Sequence, residues 1–122
     1  MYTMYTMAFN GVYKSYTINN LDLNEYCVKN PASTFFLKLD TNTYDGLYLA
    51  GDVLVVDKSL SGNSNCWAIV NINGELCFRK IIVSHGNMYV HDENKNHIPI
   101  NINNMDTFEV WGVVTNVIRK LI

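Results

Sequence analysis

An Asn73-Gly74 pair separates two runs rich in β-branched and apolar residues, WAIVNI and ELCFRKIIV. Both Asn and Gly accept the positive φ angles of a two-residue hairpin turn, so the pair predicts two antiparallel strands joined by a tight turn. This feature constrains the fold most, because it fixes two strands and their connection together. The chain is therefore expected to fold around a β-sheet.

Further strand candidates occur at short intervals on both sides of this hairpin. They are STFFLKL, VLVVD, MYVH and the C-terminal run FEVWGVVTNVIRKLI. SLSGNSN and DENKNHIP read as loops, and His85-Gly86-Asn87 reads as a second turn. Such spacing with almost no helix predicts a mostly β protein of compact, twisted, antiparallel sheets. Gly112 inside the last run predicts a bulge or a bend.

One short helix is expected before the first of these strands. Asp22 can cap its N-terminus, and Leu23, Tyr26 and Cys27 would fall on one side. Pro31 should end it, because proline disfavours helix in the residue before it.

Residues 1–20 lack a sustained period and predict an extended N-terminal arm, whereas residues 21–122 predict one folded domain. The arm begins MYTMYTMAFN, without the basic region or the apolar run of a signal peptide. No stretch approaches the ~18 apolar residues of a membrane helix.

Composition argues against direct binding of nucleic acid. The formal net charge is -2, with no Lys/Arg run that could form a basic face. Cys27, Cys66 and Cys77 form no CxxC motif, and their odd number favours reduced core thiols in the cytoplasm.

Four segments, taken in order and with nearly the same spacing, resemble UmuD-like members of the LexA/UmuD family of self-cleaving serine peptidases. They are DLNEYCVKNPASTFFLKL, GDVLVVDKSL, NGELCFRKIIV and MDTFEVWGVVTNVI. The resemblance runs from about Leu21 to the end of the chain. It implies the peptidase fold of the family's C-terminal domain.

The family's chemistry needs a serine that attacks a peptide carbonyl and a neutral lysine that takes its proton. Counting forward from the preceding strand puts Thr43 at the serine position, and counting back from Gly51-Asp52 puts Asn42 there. The lysine position falls on Arg79, which stays protonated. Lys80 follows it and should point to the opposite face of its strand. We therefore expect no catalytic residues, because the positions that would carry them, Asn42, Thr43, Arg79 and Lys80, are degenerate. The alternative is a residual self-cleaving peptidase that uses Thr43 and Lys80.

UmuD carries a Cys-Gly bond in its arm that is cut to give a shorter, active form. The corresponding position here is Met7-Ala8, and the chain begins near the start of the processed form. The resemblance thus implies a processed-form-like protein that lacks the usual target bond.

The C-terminal run carries large apolar residues on both faces, which fits either a central strand or a face covered by another subunit. Because UmuD-like proteins dimerise through their C-terminal portions, the resemblance favours a homodimer with Trp111, Val113 and Ile118 as contacts.

By the same resemblance, the protein is expected to be an accessory subunit of an error-prone, UmuC-like Y-family polymerase. Such a polymerase, of the DNA polymerase V type, carries out translesion synthesis in the SOS response. The polymerase, not this subunit, would contact the DNA. A RecA filament and LexA/UmuD-type proteins are further partners that it suggests. The alternative is a decoy regulator that forms mixed dimers with an active UmuD or a LexA-type repressor.

No cofactor or metal is expected. His85, His91 and His97 are six residues apart, which is not the spacing of a familiar metal site. Asp45-Gly46 and Gly51-Asp52 are better explained by turn chemistry than by a carboxylate cluster, and Asp57 matches the acid that ends the corresponding strand of the family.

Overall fold

The computed structural model describes residues 2–7, 13–18, 22–43, 45–91, 99–104 and 107–122, giving only the backbone for 2–7, 13–18 and 99. The strands are β1 (Tyr2–Met7), β2 (Tyr13–Ile18), β3 (Thr34–Lys38), β4 (Val53–Asp57), β5 (Cys66–Ile72), β6 (Glu75–Ser84), β7 (Asn87–His91), β8 (Pro99–Asn101) and β9 (Phe108–Ile118). Helix α1 spans Leu23–Cys27, and 3-10 turns span Pro31–Ser33 and Ile102–Asn104.

Seven strands form one antiparallel sheet in the order β3-β4-β9-β5-β6-β7-β8. The predicted mostly β fold with one short helix is confirmed. Strands β1 and β2 form a separate antiparallel pair, so the predicted arm is extended but its two halves pair with each other. The predicted loop DENKNHIP lies almost wholly outside the described residues.

The β5–β6 hairpin has the predicted turn. Asn73 has φ 53 and Gly74 has φ 88, and the Gly74 N–H donates to Asn71 Oδ1 at 2.9 Å. His85 and Gly86 form a second turn with positive φ between β6 and β7. Both hairpins follow from residues that accept positive φ.

Strand β9 lies in the middle of the sheet, between β4 and β5. One core cluster is built on Leu54, Val56, Ile69 and Phe78. The other is built on Ala68, Val70 and Ile81. Trp111, Val114 and Val117 of β9 pack against the first cluster, and Phe108 and Val110 pack against the second, so β9 contributes to both.

Gly112 of β9 lies against Val56 of β4. A Cβ built on it would lie 2.6 Å from Val56 Cγ1, so a larger residue cannot fit without a shift of its neighbours. The register between β5 and β9 shifts between Ile69 and Val70, where β9 passes from Gly112 to Val110. The predicted bulge is confirmed.

Helix α1 is capped as predicted. Asp22 Oδ1 accepts hydrogen bonds from the N–H groups of Asn24 at 2.9 Å and Glu25 at 3.4 Å. Only Cys27 of the expected apolar side is buried, whereas Leu23 and Tyr26 are exposed. The helix ends before Pro31, which begins the following 3-10 turn.

No helix in the described part of the chain is long and apolar enough to span a membrane.

Candidate functional site

The connection between β3 and β4, residues 39–52, contains the position of the family's nucleophile; we call it the site loop. The Leu39 N–H donates to the Asp52 carbonyl at 2.9 Å, and the Gly51 N–H donates to the Leu39 carbonyl at 2.9 Å. These bonds close the base of the loop, so its conformation is determined by the strands on either side.

Thr43 is buried within the site loop, and its hydroxyl is engaged on both sides. It donates to Asp45 Oδ1 at 2.7 Å and accepts from the Tyr48 N–H at 3.1 Å. The Thr43 hydroxyl is also the main cause that lowers the pKa of Asp45. The Thr43 hydroxyl is thus held between the Asp45 carboxylate and the Tyr48 backbone amide.

Asn42, the second candidate for the serine position, makes a hydrogen bond across the site loop. Its Oδ1 accepts a hydrogen bond from the Ala50 N–H at 2.8 Å, across the loop. A carboxamide is not a nucleophile, so Asn42 holds the shape of the loop instead.

Arg119, just beyond β9, holds the end of the site loop. Its Nε donates to Asp52 Oδ1 at 2.7 Å and its Nη2 donates to Asp52 Oδ2 at 2.6 Å. The Leu49 N–H also donates to Asp52 Oδ2, at 2.9 Å. These donors, Arg119 first, hold the pKa of Asp52 at about 2 although its side chain is buried. Sequence reasoning assigned Asp52 to turn chemistry and missed Arg119, because no local pattern joins residues 67 positions apart.

Tyr48 anchors the middle of the loop on the sheet. Its ring packs edge-on against Trp67 at 4.9 Å and Phe78 at 5.2 Å between centroids. The loop is therefore attached to β5 and β6 as well as to its own two strands.

A cavity of about 380 Å³ lies between the site loop and β6. Its apolar lining includes Leu37, Leu54 and Phe78, and its polar lining includes Asn42, Thr43 and Arg79. The structure thus brings both candidate nucleophile positions and the lysine position into one cavity.

Lys80 is exposed and is not among the residues that line this cavity. It pairs across strands with Trp67 and His91, and alternation places it on the same face as Phe78. Lys80 therefore points away from Arg79 and shares the sheet face that Tyr48 of the site loop contacts. Arg79 Nη1 donates to the Phe78 carbonyl at 2.9 Å.

Asp57 forms a second polar centre at the end of β4. It accepts hydrogen bonds from the Ser59 hydroxyl at 2.6 Å, the Asn30 amide at 2.9 Å and the Ser33 hydroxyl at 2.9 Å. These donors, Ser59 first, hold the pKa of Asp57 far below its usual range. Ser59 is thus a structural partner of Asp57 rather than only a polar loop residue.

The predicted dimer contacts differ in accessibility. Trp111 is half-buried, with its ring 5.4 Å from that of Phe35 and Lys58 Nζ 4.4 Å above it. Val113 is only 9% exposed within one chain and pairs with Ala68 and Asp57. Ile118 is half-buried. Val113 therefore has little surface to offer a partner, and Trp111 and Ile118 have more.

Among the residues that the structure describes, no group of three or more His, Cys, Asp or Glu side chains could hold a metal ion. His85 is exposed on its turn and His91 ends β7, whereas His97 lies outside the described residues. The three cysteines are free thiols, and burial raises the pKa of Cys66.

Comparison with known proteins agrees with this architecture. Residues 2–115 match the family described as Peptidase S24-like. Protein MucA of Salmonella typhimurium is 31% identical over 111 residues, which cover 89% of this chain and 75% of MucA. Protein SamA of Salmonella typhimurium strain LT2 is 37% identical over 68 residues, or 54% of this chain and 48% of SamA. Protein ImpA of Escherichia coli is 33% identical over 69 residues, or 56% of this chain and 48% of ImpA. The chain belongs to the Peptidase S24-like family, the LexA/UmuD type that its sequence resembles.

Proposed function

We propose that this protein is a non-cleaving, UmuD-like subunit that forms a homodimer and joins a UmuC-like Y-family polymerase in SOS mutagenesis. Family membership and the similarity to MucA over most of both chains support the polymerase partnership. The observation that carries the non-cleaving part is the hydrogen bond from the Thr43 hydroxyl to Asp45 at 2.7 Å.

The first support for a non-cleaving protein is the hydrogen bonding of the Thr43 hydroxyl, which occupies a candidate nucleophile position. A hydroxyl attacks a carbonyl only when a base takes its proton during attack. Here the hydroxyl lies 2.7 Å from the Asp45 carboxylate, whose pKa is lowered, and 3.2 Å from the Tyr48 carbonyl, and it is buried within the site loop. The hydroxyl therefore contributes to loop structure rather than to attack.

The second support is the residue at the position of the family's general base. Arg79 occupies this lysine position and lines the same cavity. A guanidinium remains protonated at physiological pH and cannot accept the proton of a nucleophile. Lys80, the nearest amine along the strand, is exposed and does not line the cavity.

Cleavage is tested with a peptide that contains the Cys-Gly bond of a UmuD-type arm, followed by mass spectrometry. We expect no cleavage by the unmodified protein or by Thr43→Ala. The pairs Thr43→Ser with Arg79→Lys and Asn42→Ser with Arg79→Lys ask whether the fold still supports the chemistry. Cleavage by the unmodified protein that is lost in Thr43→Ala would show that the protein is an active peptidase.

Partnership is tested by affinity purification of the tagged protein from its own DNA-damaged cells. Recovery of a Y-family polymerase in stoichiometric amount supports the proposal. Recovery of a LexA-type repressor or an intact UmuD without polymerase would instead support the decoy regulator.

A further inference from the structure

The Asn73-Gly74 turn of the β5–β6 hairpin carries a chemistry that the proposed function does not use. An Asn followed by Gly can react with itself: the Gly nitrogen attacks the Asn Cγ, ammonia leaves, and a five-membered succinimide forms. Water then opens this ring at either carbonyl, which gives aspartate or isoaspartate. Glycine favours the attack, because it has no side chain to obstruct it and adopts a wide range of backbone angles. Asn73 and Gly74 are both exposed, so water reaches the turn.

The nucleophile of this reaction is the Gly74 nitrogen, which must lose its proton and face the Asn73 side chain. In the hairpin, the Gly74 N–H instead donates to Asn71 Oδ1 at 2.9 Å. A hydrogen-bonded amide gives up its proton only when the structure around it opens, because that bond must break first. The Asn71 side chain therefore keeps the nucleophile engaged while the hairpin is closed.

The other reacting group, the Asn73 carboxamide, is held by the residue that precedes β9. Asn73 Oδ1 accepts a hydrogen bond from the Thr107 hydroxyl at 3.2 Å, and the Asn73 N–H donates to the Thr107 carbonyl at 3.4 Å. Asn73 and Gly74 also keep the positive φ angles that the two-residue turn requires, 53 and 88. The folded hairpin thus gives each reacting group a different partner, Asn71 for the nitrogen and Thr107 for the carboxamide.

The hydrogen bond from Thr107 has a second effect, which is opposite in sign. A donor to the carboxamide oxygen stabilises the negative charge that develops on this oxygen during attack. Thr107 therefore holds the carboxamide in place but does not make it less reactive. The protection rests on Asn71, because release of the Gly74 N–H leaves a carboxamide that is ready for attack.

We propose that Asn73-Gly74 is a latent deamidation site, which Asn71 keeps unreactive while the β5–β6 hairpin is folded. Local opening of the hairpin releases the Gly74 N–H, and the succinimide then forms as it does in an unstructured Asn-Gly pair. The extent of modification thus records how long this hairpin has been open. The reaction needs only water, so it is independent of the proposed polymerase partnership.

The two products of the reaction differ in their effect on the hairpin. Aspartate at position 73 still accepts the positive φ of the turn. Isoaspartate adds a methylene group to the backbone, and a two-residue turn of this type has no place for it. Because turn geometry sets the register of a hairpin, isoaspartate displaces β6, which lines the cavity, relative to β5.

Peptide mapping by mass spectrometry, on protein incubated in mildly alkaline buffer, tests the proposal. Asn71→Ala frees the Gly74 N–H, so deamidation of Asn73 should become roughly two- to tenfold faster, the change expected from the loss of one hydrogen bond. Asn65→Ala is the matched control, because Asn65 Oδ1 accepts a comparable bond from the Val83 N–H at 2.8 Å. An unchanged rate in Asn71→Ala, or an equal increase in Asn65→Ala, overturns the proposal.

Unfolding gives a second test that does not require a variant to fold. In urea, Asn73 of the unmodified protein should deamidate at least about tenfold faster than in buffer, because the reaction no longer waits for the hairpin to open. Peptides that contain residue 73 should then include isoaspartate, since direct hydrolysis of the carboxamide gives aspartate alone. Equal rates with and without urea, or aspartate as the sole product, contradict the proposal.

Discussion

The Arg119 guanidinium and the Asp52 carboxylate form a doubly hydrogen-bonded ion pair that ties the end of β9 to the end of the site loop. Arg119 Nη2 also donates to the Leu47 carbonyl at 3.0 Å. One side chain thus holds the site loop at two places. Neither Arg119 nor Asp52 lines the cavity itself.

Arg119→Ala should loosen the site loop without unfolding the sheet. Removing one partner leaves the other charge buried and unpaired, which is costly, so we expect the melting temperature to fall by several degrees. Hydrogen exchange should become faster at the Leu49 and Gly51 amides and stay unchanged at Phe78. Lys120→Ala, a change at the neighbouring exposed cation, is the matched control; an equal effect of both changes would contradict a specific role for Arg119.

Acid stability should depend on Asp52. Arg119, the first cause, and the Leu49 N–H lower its pKa from the ordinary 3.8 to about 2. Because the pKa is lower in the folded state, the stabilisation is present above about pH 4 and is lost as the pH falls towards 2. Urea unfolding midpoints measured across this range should fall steeply for the unmodified protein.

The same titration of Asp52→Asn should give a shallower pH dependence. Part of the slope should remain, because Asp57 has a lowered pKa for the same reason and contributes in the same direction. Parallel curves for the two proteins would mean that the Asp52 ion pair does not contribute to acid stability.

Tyr48→Ala should separate the site loop from the sheet by removing the ring contacts with Trp67 and Phe78. Truncating a packed aromatic ring costs roughly 2–4 kcal/mol of unfolding free energy, depending on its burial. Tyr48→Phe keeps both ring contacts and should stay within about 0.5 kcal/mol of the unmodified protein. Equilibrium urea unfolding measures both values; a large loss in Tyr48→Phe would assign the effect to the hydroxyl instead.

Gly112→Ala should destabilise the sheet where β9 meets β4, because the added Cβ would lie 2.6 Å from Val56 Cγ1. Overpacking of this kind costs roughly 1–3 kcal/mol. Val56→Ala removes the obstructing methyl group and should recover part of the loss when the two changes are combined. A double-mutant cycle measures this coupling, and strict additivity would show that the close approach is not the cause.

The sequence predicted the features that depend on local chemistry. Asp22 capped α1, and Asn73-Gly74 formed its hairpin, because the residues that determine such structures lie within a few positions of one another. The family resemblance located Thr43 and Arg79, and the structure places both in one cavity.

Features that depend on long-range packing could not be predicted in this way. The ion pair of Arg119 with Asp52 joins residues 67 positions apart. The apolar run of β9 fitted a covered face as well as a central strand, and its place between β4 and β5 follows only from the strand order. The positions of Leu23 and Tyr26 on α1 did not indicate that both side chains are exposed.

The central position of β9 also affects when the sheet can form. In the described sheet, β3 and β4 join β5 to β8 only through β9, which follows all of them along the chain. During synthesis, the β3–β4 pair and the four strands β5 to β8 cannot join into one sheet until residues 108–118 have left the ribosome. The site loop and its cavity, which need both parts, therefore form in a late step after most of the domain has been made.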